Sequence, residues 1–291
     1  MSRTESSFTS AADGVEVFTT TWPDVDGAPK GVVQIAHGLA EHVARYDRFA
    51  TALNAAGYVA AGTDHRAHGR TGADALGDFG GAGFEGLIAD VVQFGRQLAA
   101  AHPGLPVFLF GHSMGSFASQ SVIADGGQPY AGVILSGSTA MDVLAANMAE
   151  APPEAAGLEA FNAGFEHRTG YEWLSRDTAE VDAYVADPWC GFDAPPEAMG
   201  QLFGQATRLG DPAVLAEIPS TLPILLVSGD ADPLAGGGQL IELAAQRYRD
   251  ADVADVTATL YPGGRHELLN ETNRDEVTAD VIGWLDARAA G

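Results

Sequence analysis

Apolar positions along the chain fall into two alternating kinds of run. Short, nearly continuous β-rich runs give way to longer stretches whose apolar residues recur near every 3.6 positions. Residues 15–20 alternate apolar and polar, which predicts a strand. Residues 32–36 are apolar and stop at His37-Gly38. Helical spacing over 44–56 follows, then a strand over 58–63. Leu87, Ile88, Val91, Val92 and Leu98 keep the helical period over 84–101. Residues 107–110 predict a buried strand, and a helix starts at about Met114. Further strands are predicted over 133–136, 224–228 and 256–261, with helices over 237–248 and 274–288. Strands alternating with helices predict an α/β fold: a mostly parallel central sheet flanked by helices on both faces.

One stretch breaks the alternation. Between Ser138 and about Arg208 the pattern is helical and aromatic, with no convincing strand, and the pairs Pro152-Pro153 and Pro195-Pro196 punctuate it. This predicts a helical cap over 138–207, inserted into a core made of 1–137 and 208–291. A cap over a cleft must line it. The candidates for substrate contact are Met141, Leu144, Phe161, Phe165 and Trp189. Each of them could equally be packing the cap onto the core.

Composition narrows the picture. The 291 residues include 39 acidic and 15 basic side chains, a net charge of −24, and 46% are hydrophobic. That suits a globular chain with a sizeable core. Lys30 is the only lysine. Nucleic acid and anionic lipid surfaces both need clustered cations, so neither is an expected partner. Residues 1–14 are polar with no apolar core of a signal peptide, and no run is long enough to span a bilayer. Cys190 is alone, so no internal disulfide can form. Together these point to a cytoplasmic protein without stable membrane insertion. Asn270-Glu271-Thr272 matches a glycosylation acceptor by coincidence.

The chemistry is carried by Gly111-His112-Ser113-Met114-Gly115. In a chain with 36 glycines a G-x-S-x-G match means little by itself. Here it directly follows a predicted strand and directly precedes a predicted helix, the setting of a nucleophile elbow. Ser113 on such a turn would be exposed beside a helix N-terminus, whose N–H groups favour a developing oxyanion. A serine nucleophile needs a base, and the base needs an orienting acid, in the chain order Ser, Asp or Glu, His. The predicted strand over 224–228 leads into Gly229-Asp230-Ala231-Asp232-Pro233. The strand over 256–261 leads into Arg265-His266-Glu267. His266 is the only histidine after His167. Asp232, before Pro233, is the chosen acid, with Asp230 as the alternative. The oxyanion donors are expected from the N–H of Met114 and, in the loop after an early strand, of Leu39.

At these residues the chain resembles the monoacylglycerol lipase and lysophospholipase group of the α/β-hydrolase superfamily. His37-Gly38-Leu39-Ala40-Glu41-His42 with Arg45-Tyr46 resembles the group's oxyanion loop. Asp64-His65-Arg66-Ala67-His68-Gly69-Arg70 resembles its D-x-R-G-H-G-x-S loop, and the elbow, the acid loop and the histidine loop match as well. Two positions depart from the pattern. Ala67 stands where the group has glycine, and Thr71 carries the hydroxyl one place late. The resemblance implies a triad of Ser113, Asp232 and His266 with Leu39 and Met114 as oxyanion donors. It also implies an α/β-hydrolase fold and a carboxylic ester hydrolase acting on small-molecule esters of short to medium acyl chains, without cofactor.

Two look-alikes weigh less. Gly81-Ala82-Gly83-Phe84-Glu85-Gly86 has no strand before it and no acid about 20 residues on, as a dinucleotide fingerprint requires. His37 and His42, like His65-x-x-His68, suggest a metal, yet no carboxylate-rich cluster of ligand spacing accompanies them, so no metal is expected. Acyltransferase, thioesterase, lactonase or peptidase activity would use the same triad. A non-catalytic binding protein has no need of one.

Overall fold

The computed structural model describes residues 2–150 and 158–289. Its strands are β1 (Thr4–Thr9), β2 (Glu16–Trp22), β3 (Gly31–Ala36), β4 (Tyr58–Thr63), β5 (Val107–His112), β6 (Gly132–Ser136), β7 (Ile224–Gly229) and β8 (Val256–Tyr261). They form one sheet in the order β1-β2-β4-β3-β5-β6-β7-β8. From β4 to β8 every pairing is parallel, whereas β2 joins β4 and β1 joins β2 antiparallel.

Strands β3 to β7 are buried along their length apart from their loops. Their side chains alternate between two layers, so the apolar runs serve both faces. Leu109, Val133, Leu135 and Leu226 pack with α2 (Gly83–Ala101), α3 (Met114–Ala124) and α9 (Gln239–Asp250). Phe108, Phe110, Ile134 and Val227 pack on the other face with α1 (Asp47–Ala55) and α10 (Arg274–Ala289). The fold is the α/β-hydrolase fold.

The chain leaves β3 towards β4 on one side and resumes at β5 on the other. That reversal opens a crevice beyond the carboxyl ends of β3 and β5, where open parallel sheets bind ligands. Between β6 and β7 run α4 (Met141–Glu150), α5 (Thr178–Ala186), α6 (Pro196–Phe203), α7 (Ala206–Leu209) and α8 (Pro212–Leu215). No strand lies in this stretch among the described residues; Pro152-Pro153 falls outside them. Among the described residues no helix is long and apolar enough to cross a membrane.

β1 is absent from the sequence expectation. Apart from Phe8, which stacks on Phe94, Thr4–Thr9 is polar and mostly exposed, and it is held by its register with β2 and by Gln93, which donates to Thr9 O. An edge strand with a single apolar side chain carries no apolar alternation to read.

Candidate active site

Ser113 joins β5 to α3 with φ 51° and ψ −119°, outside the regions open to most L-residues. The turn is held from both sides. Ser113 N–H donates to Ser136 O at 2.9 Å, and Ser116 and Phe117 N–H donate back to Ser113 O. Gly115 explains the second glycine of the motif, because a Cβ there would lie 2.1 Å from Ala36 O. Helix and strand β3 could not approach so closely with any side chain present.

The acid and the histidine come together from the ends of β7 and β8. His266 Nδ1 lies 2.8 Å from Asp232 Oδ2, and both residues are buried. Asp232 Oδ1 accepts from Leu234 N–H at 2.9 Å, which fixes the carboxylate. Asp230 points elsewhere and accepts from Gly263 N–H. The two loops can meet because residue 229 is glycine: a Cβ there would sit 1.8 Å from Gly264 O. Burial by itself lowers the pKa of His266, but the Asp232 carboxylate on Nδ1, with Glu267 and Glu41 further off, outweighs it and holds the ring above its ordinary value. Ser113 Oγ has no hydrogen-bond partner among the described residues. Such contacts tighten when substrate binds.

The loop after β3 lies against the elbow. Neither Leu39 nor Met114 N–H has a hydrogen-bond partner among the described residues, and both residues line the same pocket as Ser113. His37 braces the loop: Nδ1–H donates to Gly38 O at 2.8 Å, and Nε2 accepts from His65 N–H at 3.0 Å. Burial keeps this ring neutral by lowering its pKa.

Behind the loop lies a charged layer whose residues the sequence shows only as parts of motifs, with no role attached. Glu41 accepts from Gly38 N–H, from Tyr46 at 2.8 Å and from Arg45 at 2.8 Å. Arg45 also forks onto both oxygens of Glu267, next to His266. Burial would raise the pKa of Glu41, but Arg45 beside it brings it down to about 2. Burial pushes His112, ring-to-ring with His266 at 4.8 Å, down to about 4. The Glu41 contacts are local, but Arg45 and Glu267 stand 222 positions apart and leave no local signal of their pairing.

Above Ser113 the pocket is lined by Leu39, Met114, Phe117, Leu144, Leu158, Phe161, Trp173, Met199, Leu202, Phe203 and Leu234, none of them charged. Leu144 and Phe161 thus reach the pocket. Met141 is buried in the core, Phe165 lies under the Arg265 guanidinium, and Trp189 sets its edge on His42. Trp173 lies against His266 with ring centroids 4.8 Å apart and the rings tilted by 38°, and Trp173 O accepts from His266 N–H. The stretch between β6 and β7 therefore touches the histidine directly. Of the departures in the β4 loop, those at 70 and 71 are accommodated, since Arg70 binds the Asp64 carboxylate and the Thr71 hydroxyl bridges Asp64 O and Phe18 N–H, while Ala67 stands at φ 68°.

Comparison with known proteins places this geometry. The profile of the family described as "Serine aminopeptidase, S33" matches residues 27–273. A monoacylglycerol lipase of Mycolicibacterium smegmatis is 32% identical over 97% of both chains. The Homo sapiens monoglyceride lipase is 30% identical, over 96% of this chain and 89% of its own. A thermostable carboxyl esterase from Bacillus coagulans, solved with glycerol, superposes with a TM-score of 0.86 at 28% identity, covering 99% of both chains.

Proposed function

The chain belongs to the S33 serine aminopeptidase family and is a serine ester hydrolase, and from that premise we propose that Ser113, Asp232 and His266 cleave monoacylglycerol-like esters. Ser113 Oγ attacks the ester carbonyl as its proton passes to His266 Nε2. Asp232 on Nδ1 holds the ring in the required tautomer and stabilises the imidazolium. The carbonyl oxygen gains its charge facing the N–H groups of Leu39 and Met114. The acyl–alkoxy bond then breaks, and the proton on Nε2 leaves with the alcohol. Water, deprotonated by the same nitrogen, releases the acid from Ser113.

One observation carries this reading: the Asp232–His266 pair, 2.8 Å apart, lies against Trp173, which also lines the pocket that holds Ser113. That pocket is apolar, which suits an acyl chain. Among the described residues that line it there is no carboxylate to hold the amino group an aminopeptidase must recognise, so the ester reading stands ahead of the peptidase one. Residues 138–207 act as the cap that selects the chain, of short to medium length. The net charge of −24 favours neutral, dissolved esters over anionic bilayers. The lone cysteine fits a cytoplasmic setting.

Two assays test it. An organophosphonate probe should add mass at Ser113 and fail to label Ser113→Ala. Hydrolysis of monoacylglycerols and p-nitrophenyl esters of graded length should exceed that of aminoacyl anilides. Labelling elsewhere, or faster anilide cleavage, would overturn the assignment.

A further inference from the structure

A second histidine–carboxylate pair, its histidine buried and its carboxylate partly exposed, lies away from the triad, where the oxyanion loop meets the stretch between β6 and β7. His42 Nε2 and Asp187 Oδ2 are 2.9 Å apart. The two residues stand 145 positions apart, which is why no ligand spacing shows in the sequence. Cys190 completes the group: one imidazole nitrogen, one carboxylate oxygen and the thiol sulfur all lie within 4.8 Å of one another. We propose that His42, Asp187 and Cys190 form a binding site for a borderline divalent cation of the zinc class.

The donor set selects the ion. Imidazole, carboxylate and thiolate together suit Zn2+ or Co2+, while the thiolate is a poor partner for Mg2+ or Ca2+. Charge balances as well, since a carboxylate and a thiolate match a dication. Coordination at about 2.0–2.3 Å puts tetrahedral ligand atoms about 3.3–3.6 Å apart, so the widest separations must close by about 1 Å while the His42–Asp187 pair, now 2.9 Å apart, opens slightly. The scaffold limits that movement. Asp187 Oδ1 accepts from Trp189 N–H at 2.9 Å, which leaves Oδ2 for His42 or a metal. Cys190 N–H donates to Asp187 O, and Gly191 N–H and the Tyr184 hydroxyl both donate to Ala40 O. These bonds hold the two segments together before any ion arrives. The Asp187 side chain is 31% exposed, giving an entry path and room for a water as fourth ligand. On binding, the Cys190 thiol gives up its proton to solvent, and Asp187 exchanges its hydrogen bond to His42 for a bond to the metal.

A cation here would staple the loop bearing Leu39 to residues 184–191. The site does not depend on the triad assignment. Its test uses chelator-treated full-length protein. Zn2+ in modest excess should raise Tm by about 2–4 °C beyond any change with equal Mg2+. That excess should vanish in Cys190→Ser and in His42→Gln, each compared with its own metal-free Tm. Co2+ should give a thiolate charge-transfer absorption in the unmutated protein, a readout that no folding defect can imitate. No cobalt–thiolate band, or a Zn2+ shift that survives both substitutions as it would for scattered surface acids, would overturn the proposal.

Discussion

Ser113 is held at φ 51° by its neighbours, and that strain exposes its hydroxyl beside the pocket. Ser113→Ala and His266→Ala should each lower kcat by about 10⁴- to 10⁶-fold, because the members of such a set act as a unit. Asp232→Asn should cost less and Asp230→Asn little, since only Asp232 reaches the ring. If Asp230→Asn proves the worse of the two, the acid is misassigned. The base must be neutral to work, and Asp232 holds its pKa up. The acid limb of kcat/KM should therefore have its midpoint above about 6.5, the ordinary histidine value. Ala67 sits at φ 68°, in the left-handed region. Ala67→Gly should relieve strain of about 1 kcal/mol and raise Tm with activity unchanged. An unaltered or lower Tm would place that strain elsewhere. Ala67 was recognisable in sequence as a departure, but only the backbone shows that it stands where glycine is the unstrained choice. Ser113 and His266 were legible because each motif is short and its setting is local. Between Asp230 and Asp232, the structure pairs Asp232 with His266 and turns Asp230 to Gly263 N–H, a geometry that the sequence did not carry.

Among the elements, the β3 loop and the β8 loop are joined by Arg45, which binds Glu41 in one and Glu267 in the other. Its side chain is 11% exposed, and those of its partners 4% and 6%. Removing one partner of such a group leaves buried charge uncompensated, at about 3–5 kcal/mol. Arg45→Met should lower Tm markedly, and adding Glu267→Gln should recover part of the loss. Equal losses in the single and double variants would show that the charges are not coupled. Strands β3 to β7 were legible because a parallel sheet buried on both faces makes continuous apolar runs. β1 was not, because it is a mostly exposed edge strand whose only large apolar side chain is Phe8. The layer around Arg45 was illegible for a different reason. Glu41 and Arg45 are four residues apart, but the pairing that ties them to the β8 loop, Arg45 with Glu267, spans 222 positions, and only the folded sheet brings those strand ends together.

Across the whole molecule, acid stability turns on histidines that the triad does not use. Burial lowers the pKa of His37 and His65, and pushes His112 to about 4 and His68 to about 3. All four rings are almost fully buried. Unfolding frees them to bind protons below about pH 6.5, while the folded chain keeps them neutral until much lower pH. The unfolded state then carries more protons, so stability is complete above pH 6.5 and falls as pH drops towards 4. His266 has the opposite sign, because its folded pKa is raised; it gives stability that is fully present below pH 6.5 and lost as pH rises through the folded value. One such ring does not cancel four. Each depressed histidine adds up to about 1.4 kcal/mol per pH unit, so His68 and His112 alone give a slope of about 3. The 39 acidic residues do not mask this, because ordinary carboxylates titrate near pH 4, below most of the window. Denaturant unfolding at pH 7, 6, 5.5 and 5 should show stability falling steadily. His112→Phe or His68→Phe should flatten the slope by about one proton each, whatever it does at pH 7. A curve flat down to pH 5 would mean that these rings titrate in the folded chain as they do in water, which their burial in the structure contradicts.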